Sequence, residues 1–270
     1  MTGALTGPPP GLSRRDRRKQ ETINDIKAAA RRQLAGAGPA GVSLRGIARE
    51  LGMTASAVHY YFPARQALLS ALVVDGSQSL ADCLQAAYHA TGQATPDERW
   101  VAVCRAHRSW ALGRPSKYLL LYGHDGRAAT RPDPRIAVAM SNVNAVLFTM
   151  MKDAVADGYV DTEAIEARTP PELRGQLAAW RAQTPGLADL PVGAVAACMI
   201  GFAELHGAIT LEINGYTPPQ LTDAAALFDL RMAHVAASLH PHPHPAQPDA
   251  GPRHLHRPAS GLRSGTVGLA

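Results

Sequence analysis

The 270-residue chain reads as an all-α protein, and three observations point there. Apolar residues recur at intervals of three and four through most of its length, as helices with one buried face require. No segment alternates apolar and polar residues long enough to read as a strand. Three segments, Thr95-Pro-Asp-Glu98, Thr169-Pro-Pro-Glu172 and Thr217-Pro-Pro-Gln220, place Thr three residues ahead of Glu or Gln with proline at the first helical position, the pattern of a capping box. The length allows one large domain or two, and 46% hydrophobic content suffices for a sizeable core.

Taken in order, Ile23, Ile26, Ala30 and Leu34 give a first helix over Gln20 to about Ala37, broken by Gly36, Gly38, Pro39 and Gly41. Leu44, Ile47, Ala48 and Leu51 form the face of a second helix; Met53, Ala57, Val58, Tyr61 and Phe62 form that of a third. Between them Gly52 can take the left-handed conformation that ends a helix, and the Thr54 hydroxyl can cap the next one. A long helix follows Pro63 and runs to about Tyr88 or Ala90. Further helices are expected at about 96 to 112, 115 to 122, 133 to 157, 170 to 182, 191 to 214 and 218 to 239.

Charge is unevenly spread. Residues 1 to 65 hold 11 basic and 4 acidic side chains, a net of +7, whereas the remainder carries a net of −2. A basic excess confined to one end is the electrostatic footprint of a nucleic-acid binder. The run Arg14 to Lys19 directly precedes the first helix and reads either as a solvated charge run or as an arm that reaches phosphates or the minor groove.

A helix, a glycine-containing turn and a second helix make a helix-turn-helix, whose second helix enters the major groove. With the alanine-rich first helix ending at Gly38, Ser-Leu-Arg-Gly-Ile-Ala at 43 to 48, Leu-Gly-Met-Thr at 51 to 54 and Tyr-Tyr-Phe-Pro-Ala-Arg at 60 to 65, the stretch resembles the DNA-binding domain of the TetR family of bacterial regulators. Two positions depart from that pattern: Gln33 stands where the family usually has leucine, and His59 where it usually has tyrosine. If 57, 58, 61 and 62 face the core, Ala55, Ser56, His59 and Tyr60 face outward. Thr54 sits where free backbone N–H groups suit a phosphate oxygen. The resemblance extends DNA contact to Ser43, Arg45, Thr54, Ser56, Tyr60 and Arg65, with Arg45 addressing a base edge or a phosphate and Arg65 supplying backbone charge. His59 reads as a neutral rim substitution or as a donor to phosphate.

The segments His107 to Ala128 and Gly201 to Tyr216 resemble the C-terminal domain of a subfamily with a Trp-His-Gly signature; His206 and Gly207 fit it, and Phe202 stands in place of the tryptophan. Trp110, Tyr118, Tyr122, His124, Met140, Asn144, Phe148, Met151, Trp180, Met199, Phe202 and His206 form a mixture that suits an apolar effector pocket with a few orienting hydrogen bonds, and equally an ordinary helical core. The stretch 191 to 214 is apolar nearly all round, with a small-residue ridge at Gly193, Ala197 and Gly201 that would let another helix approach. The resemblance implies that this helix and the next meet their symmetry mates in a four-helix bundle, through Val195, Met199, Ile209, Ile213, Leu221, Phe228, Met232 and Val235.

Several classes are disfavoured. No GxSxG, HExxH, GxxxxGKS/T or GxGxxG motif occurs, so neither catalysis nor a cofactor is expected. Cys83, Cys104 and Cys198 lack CxxC spacing and read as reduced thiols. No run of 18 apolar residues and no apolar signal core is found, so a cytoplasmic protein without a membrane partner is expected. The Pro- and His-rich 241 to 270 reads as a flexible tail; His240, His242, His244, His254 and His256 fix no ligand geometry, and no metal site is assigned. The expected organisation is an arm at 1 to 19, a helix-turn-helix domain at 20 to 66, an effector-binding and dimerisation domain at 67 to 240, and the tail. The expected function is a homodimeric regulator that binds double-stranded operator DNA and, as the resemblance implies, is released by a small-molecule effector. The alternative is a ligand-independent regulator or activator whose C-terminal part only dimerises.

Overall fold

A computed structural model describes residues 13 to 123 and 133 to 241; His124 and the histidines from 242 onward lie outside them. Among the described residues the chain forms eleven α-helices and no strand. They are α1 (Arg14–Gly41), α2 (Leu44–Glu50), α3 (Ala55–Tyr61), α4 (Arg65–Ala90), α5 (Pro96–Leu112), α6 (Pro115–Tyr122), α7 (Pro134–Ala156), α8 (Thr162–Arg168), α9 (Pro171–Gln183), α10 (Val192–Ile213) and α11 (Ala224–Ser238). A 3-10 turn at Pro185–Leu187 joins α9 to α10.

The first helix starts earlier than expected. Ser13 caps it by accepting from the Asp16 N–H, and Asp16 places a negative charge in the first turn, where the helix dipole favours it. The basic run from Arg14 to Lys19 is therefore part of α1 rather than of a separate arm. Ile26, Ala29, Ala30 and Leu34 are its buried face. At Gly38 the backbone turns left-handed (φ 65°), and one further turn carries Pro39. Gln33 has a use that leucine could not serve: its side-chain carbonyl accepts the Ser43 N–H at 2.9 Å.

Of the three expected capping boxes, one forms. Thr95 and Glu98 exchange both hydrogen bonds at the start of α5. At Thr169 and Thr217 a second proline follows the first, and a residue ahead of proline is driven out of the helical region. Pro170 accordingly sits at ψ 143° and α9 begins at Pro171, while the Thr169 hydroxyl turns back to the Ile165 carbonyl at 2.8 Å. After Thr217 the chain makes a turn, with Leu221 N–H donating to Pro218 O at 2.9 Å, and α11 waits until Asp223 caps it. The short helix α8 was not anticipated; Asp161 caps it and Ile165 anchors it.

A continuous core runs from Ile26, Ile47 and Val58, through Leu68, Leu80 and Leu84 of α4, to Leu205, Ile209, Phe228 and Met232. A second cluster gathers Ile165, Leu177, Leu187 and Leu190 around the first turns of α10. Ion pairs fix the elements' register: Lys27 with Asp75 between α1 and α4 (2.8 Å), Arg99 with Asp153 between α5 and α7 (3.1 Å), and Arg105 with Asp229 between α5 and α11 (2.7 Å). The small-residue ridge of α10 does admit neighbours, but within the chain. A Cβ at Gly193 would overlap the Thr162 carbonyl of α8, and one at Gly201 would come within 3.0 Å of the Trp100 ring. Helices α4 and α10 are long and apolar enough to cross a membrane by length and composition, which the expected absence of such runs did not anticipate; half or more of each apolar window is buried inside the fold.

Candidate functional site

Helices α2 and α3 pack through Ile47, Ala48, Val58 and Phe62, all buried. Gly52 (φ 64°) lets the chain reverse between them, with Met53 N–H donating to Ala48 O at 2.8 Å. Ser43 caps α2, and Thr54 caps α3 through the Ala57 N–H. With that inner face filled, Arg45, Thr54, Ala55, Ser56, His59 and Tyr60 are all exposed. Tyr60 is 71% exposed, its ring meeting Tyr61 edge-on at 5.1 Å. The Thr54 and Ser56 hydroxyls lie 3.0 Å apart. His59 Nδ1 lies 3.3 Å from Pro63 O. The Arg45 side chain makes no hydrogen bond or ion pair with another described residue.

Arg65 is placed differently from its expected role. Its Nε donates to Val42 O at 2.8 Å and its Nη2 to Pro39 O. These carbonyls lie in the segment between the Gly38 kink and α2, so the guanidinium ties the start of α4 to the α1–α2 junction. Its side chain is half-buried.

A cavity of about 290 Å³ lies among α5, α7, α9, α10 and α11. Of the expected pocket residues, Asn144, Phe148, Met151, Trp180, Met199 and Phe202 line it. Sequence reasoning missed Trp100, Tyr159 and Leu239, among others. Helical spacing separates inside from outside and cannot tell a cavity wall from filled core, so no periodic signal marked them. At the rim His240, the first of the C-terminal histidines, contacts Asp97 at 2.9 Å and packs edge-on against Tyr159.

Of the other six, His124 falls outside the described residues and five lie elsewhere. Trp110 is buried against α4, its Nε1 donating to Ser79 Oγ at 3.1 Å; Met140 accepts from the Ser77 hydroxyl. Tyr118, Tyr122 and His206 belong with His107 to an aromatic cluster next to the cavity. The Tyr118 hydroxyl lies 3.0 Å from His206 Nδ1 and 3.2 Å from Thr210 Oγ1; His107 meets His206 edge-on at 5.1 Å. Both His107 nitrogens and His206 Nε2 are buried without a hydrogen-bond partner among the described residues, a cost of about 1–3 kcal/mol for each unsatisfied group. Burial holds both rings neutral, pushing His206 down to about 4 and His107 well below its ordinary value, to which the neighbouring His206 adds. The Phe202 ring lies 4.2 Å from that of His206 and also lines the cavity, so it forms the partition between the two. His107 was overlooked because it occupies an apolar stripe with Val103, Cys104, Trp110 and Ala111, where it reads as core.

The residues expected at a dimer interface need correction. Val195, Ile209, Phe228, Met232 and Val235 are buried within the chain, and Ile213 is half-buried against the same core. Met199 (42%) and Leu221 (48%) are exposed. The outward faces of the two helices carry instead Ile200, Ala203, Gly207 and Leu211 on α10, and Leu227, Leu230 and Ala237 on α11. An all-round apolar helix gives periodicity no phase, so the sequence did not separate the stripe that packs inside the chain from the one that faces outward. The three cysteines are free, as expected, and burial pushes the Cys198 thiol up to about 12, so it is poorly nucleophilic.

Comparison with known proteins adds an independent finding. Residues 26 to 72 match the family model described as bacterial regulatory proteins, tetR family, and residues 100 to 235 match that described as tetracyclin repressor-like, C-terminal domain. HTH-type transcriptional regulators of Mycobacterium tuberculosis and Mycobacterium bovis are 34% identical over 230 residues, covering 85% of this chain and 96% of theirs. Among solved structures, the regulatory protein SCO4313 superposes with a TM-score of 0.66 at 27% identity, over 83% of this chain and 98% of the other. A protein of unknown function from Rhodococcus sp. RHA1 shares the fold, with a TM-score of 0.60 at 22% identity over 81% of this chain and 95% of its own.

Proposed function

The chain belongs to the TetR family and is a DNA-binding transcriptional regulator, and on that premise we propose that it is a cytoplasmic repressor, dimeric on a palindromic operator, which a small molecule releases. The observation that carries the proposal is the pairing of an exposed α2–α3 face with a largely apolar cavity in a chain whose core runs from one region to the other. Arg45, Thr54, Ser56, His59 and Tyr60 present donors to the major groove and its phosphates, with Ser43 and Ala55 at the edge of that surface. Arg65 adds positive charge but acts chiefly by holding α4 to the α1–α2 junction.

Two copies meeting through the outward faces of α10 and α11 would set two α3 helices on successive major grooves, about 34 Å apart on B-DNA. The exposed apolar stripe on these helices supports that arrangement. The cavity shares walls with α7, which packs along α4, and with α10, which bears His206 against Tyr118 of α6. A molecule that fits the cavity better in one setting of these helices than in another shifts the population toward that setting, and α4 carries the change to α3. A ligand-independent regulator would have no need of the cavity.

The test is fluorescence anisotropy with duplexes from the chain's own promoter region. Expected are salt-sensitive binding, with log K falling linearly with log salt, and weaker binding by Tyr60→Ala at an unchanged melting temperature. Absence of salt-sensitive binding to any duplex would refute the DNA-binding reading.

A further inference from the structure

We propose that the effector is an uncharged molecule whose apolar body lies between Trp100, Phe148 and Trp180 and whose single terminal hydroxyl or carbonyl group displaces the Phe202 ring and hydrogen-bonds His206. This rests on reading the cavity as the effector site, and adds the ligand's chemical class and its polar anchor. Four observations converge on it.

The first is the charge of the wall. Among its lining residues there is no Lys, Arg or His, and the one ionisable carboxylate, Asp97, is engaged by His240 at the rim. A carboxylate or phosphate taken into such a space loses its hydration with no counter-charge to replace it. An ammonium group would find only a carboxylate that is already partnered. The second is the wall's shape and material: two tryptophans, two phenylalanines and three methionines around about 290 Å³ take an apolar body, with thioethers that adapt to its outline.

The third is the set of unpartnered nitrogens behind Phe202. His206 Nε2 and both nitrogens of His107 are buried and empty-handed among the described residues, where Arg99 Nε is the one other such side-chain atom, and buried polar groups are as a rule paired. The fourth is the tautomer. Thr210 Oγ1 can donate to the Tyr118 oxygen, whose hydroxyl then donates to His206 Nδ1. Nε2 then carries the ring hydrogen, because neutral imidazole has one donor and one acceptor. In that arrangement Nε2 lacks an acceptor, which a hydroxyl or carbonyl oxygen supplies and an ammonium does not; if the Tyr118 hydroxyl donates instead to the His206 carbonyl, 3.4 Å away, Nε2 lacks a donor, which a ligand hydroxyl also supplies. Phe202 is the side chain common to both compartments, so its rotation opens the route.

The experiment is a tryptophan-fluorescence titration of the full chain at pH 7.5 with three probes of one chain length: 1-decanol, decanoate and decylammonium. Trp100 and Trp180 line the cavity and report occupancy without DNA. Decanol is expected to bind at least tenfold more tightly than either ion. His206→Phe should weaken decanol about tenfold, and Phe202→Leu, which shortens the partition, should tighten it. Equal or tighter binding of decanoate, binding by none of the three, or unchanged decanol affinity in a folded His206→Phe protein would each overturn the proposal. The last of these is the result expected if water alone satisfies the histidines. Decanol that binds but leaves the promoter complex intact would support the ligand class while refuting effector release. Decanoate that releases DNA would do the reverse.

Discussion

Arg45 and Arg65 carry the same charge near the same α2–α3 unit, and replacing each by alanine separates the proposed role of Arg45 in contacting DNA from that of Arg65 in bracing the unit that would do so. The Arg45 side chain is exposed and bonds to no other described residue. Its removal should leave unfolding unchanged and weaken operator binding by about 1–3 kcal/mol per half-site. Arg65 donates to two carbonyls of the segment that enters α2. Charge-assisted bonds contribute about 1.5–3 kcal/mol each when well shielded, and this side chain is half-buried, so the pair stabilises by about 2–3 kcal/mol after allowance for screening. At about 2–4 °C per kcal/mol for a domain of this size, Arg65→Ala should melt about 4–12 °C lower. DNA binding should also weaken, since α2 loses its tie to α4. Differential scanning fluorimetry and anisotropy on the same preparations give both numbers. An Arg65→Ala protein that melts with the wild type but loses as much affinity as Arg45→Ala would show that Arg65 is a DNA contact and that the strut reading is wrong.

Three further outcomes follow from particular contacts. Alanine at Gly207, where an added Cβ meets nothing within 4 Å, should raise monomer stability by up to about 1 kcal/mol through helix propensity; alanine at Gly193, facing the Thr162 carbonyl, should lower it by about 1–3 kcal/mol through forced backbone displacement, and equal urea midpoints for the two would contradict the packing of α8 on α10. Ile200→Glu or Leu230→Lys, at side chains 49% and 67% exposed, should yield a folded monomer by analytical ultracentrifugation, whereas a dimer surviving both would move the interface elsewhere. His206 is held at about 4 against an ordinary 6.5, so the unfolded state takes up the proton first as pH falls. Its contribution to stability is full above about 6.5 and is lost progressively down to about 4, at about 1.4 kcal/mol per unit; His206→Phe should flatten melting temperature against pH in that window, and identical profiles would refute a neutral buried ring.

Much of the fold was legible because it rests on local rules. Thr95-Pro-Asp-Glu forms its box where it stands, and Gly52 with Thr54 ends one helix and starts the next. Failures came where one residue altered the rule for its neighbour. The second proline after Thr169 and Thr217 removed the helical option from the first, delaying α9 to Pro171 and α11 to Ala224. Ser13 and Asp16 supplied a cap nearly three turns before the first apolar residue, Ile23, so periodicity saw α1 only from its buried part. The outward face of α3 was legible because its inner positions are apolar and its outer ones are not. Arg65's role was not, because its partners are carbonyls 23 and 26 residues away, and any residue would supply those.

Helix α10 had the opposite defect, and its reason bears on how the protein would work. One side of it walls the cavity with Ala197, Cys198, Gly201 and Phe202, while the other leaves Ile200, Ala203, Gly207 and Leu211 open. Phe202 and Ala203 are adjacent in sequence yet belong to different surfaces. A helix that serves two apolar environments must be apolar all round, which is why its pattern carried no phase. It also means that the ligand and the second copy would press on the same rigid rod from opposite sides. Rotating that rod to fit a ligand would re-aim the stripe proposed to meet the partner. By linkage, any favourable effect of ligand on one dimer arrangement equals the effect of that arrangement on ligand affinity, so operator DNA, which selects one spacing of the two α3 helices, should alter effector affinity by the factor with which effector alters DNA affinity.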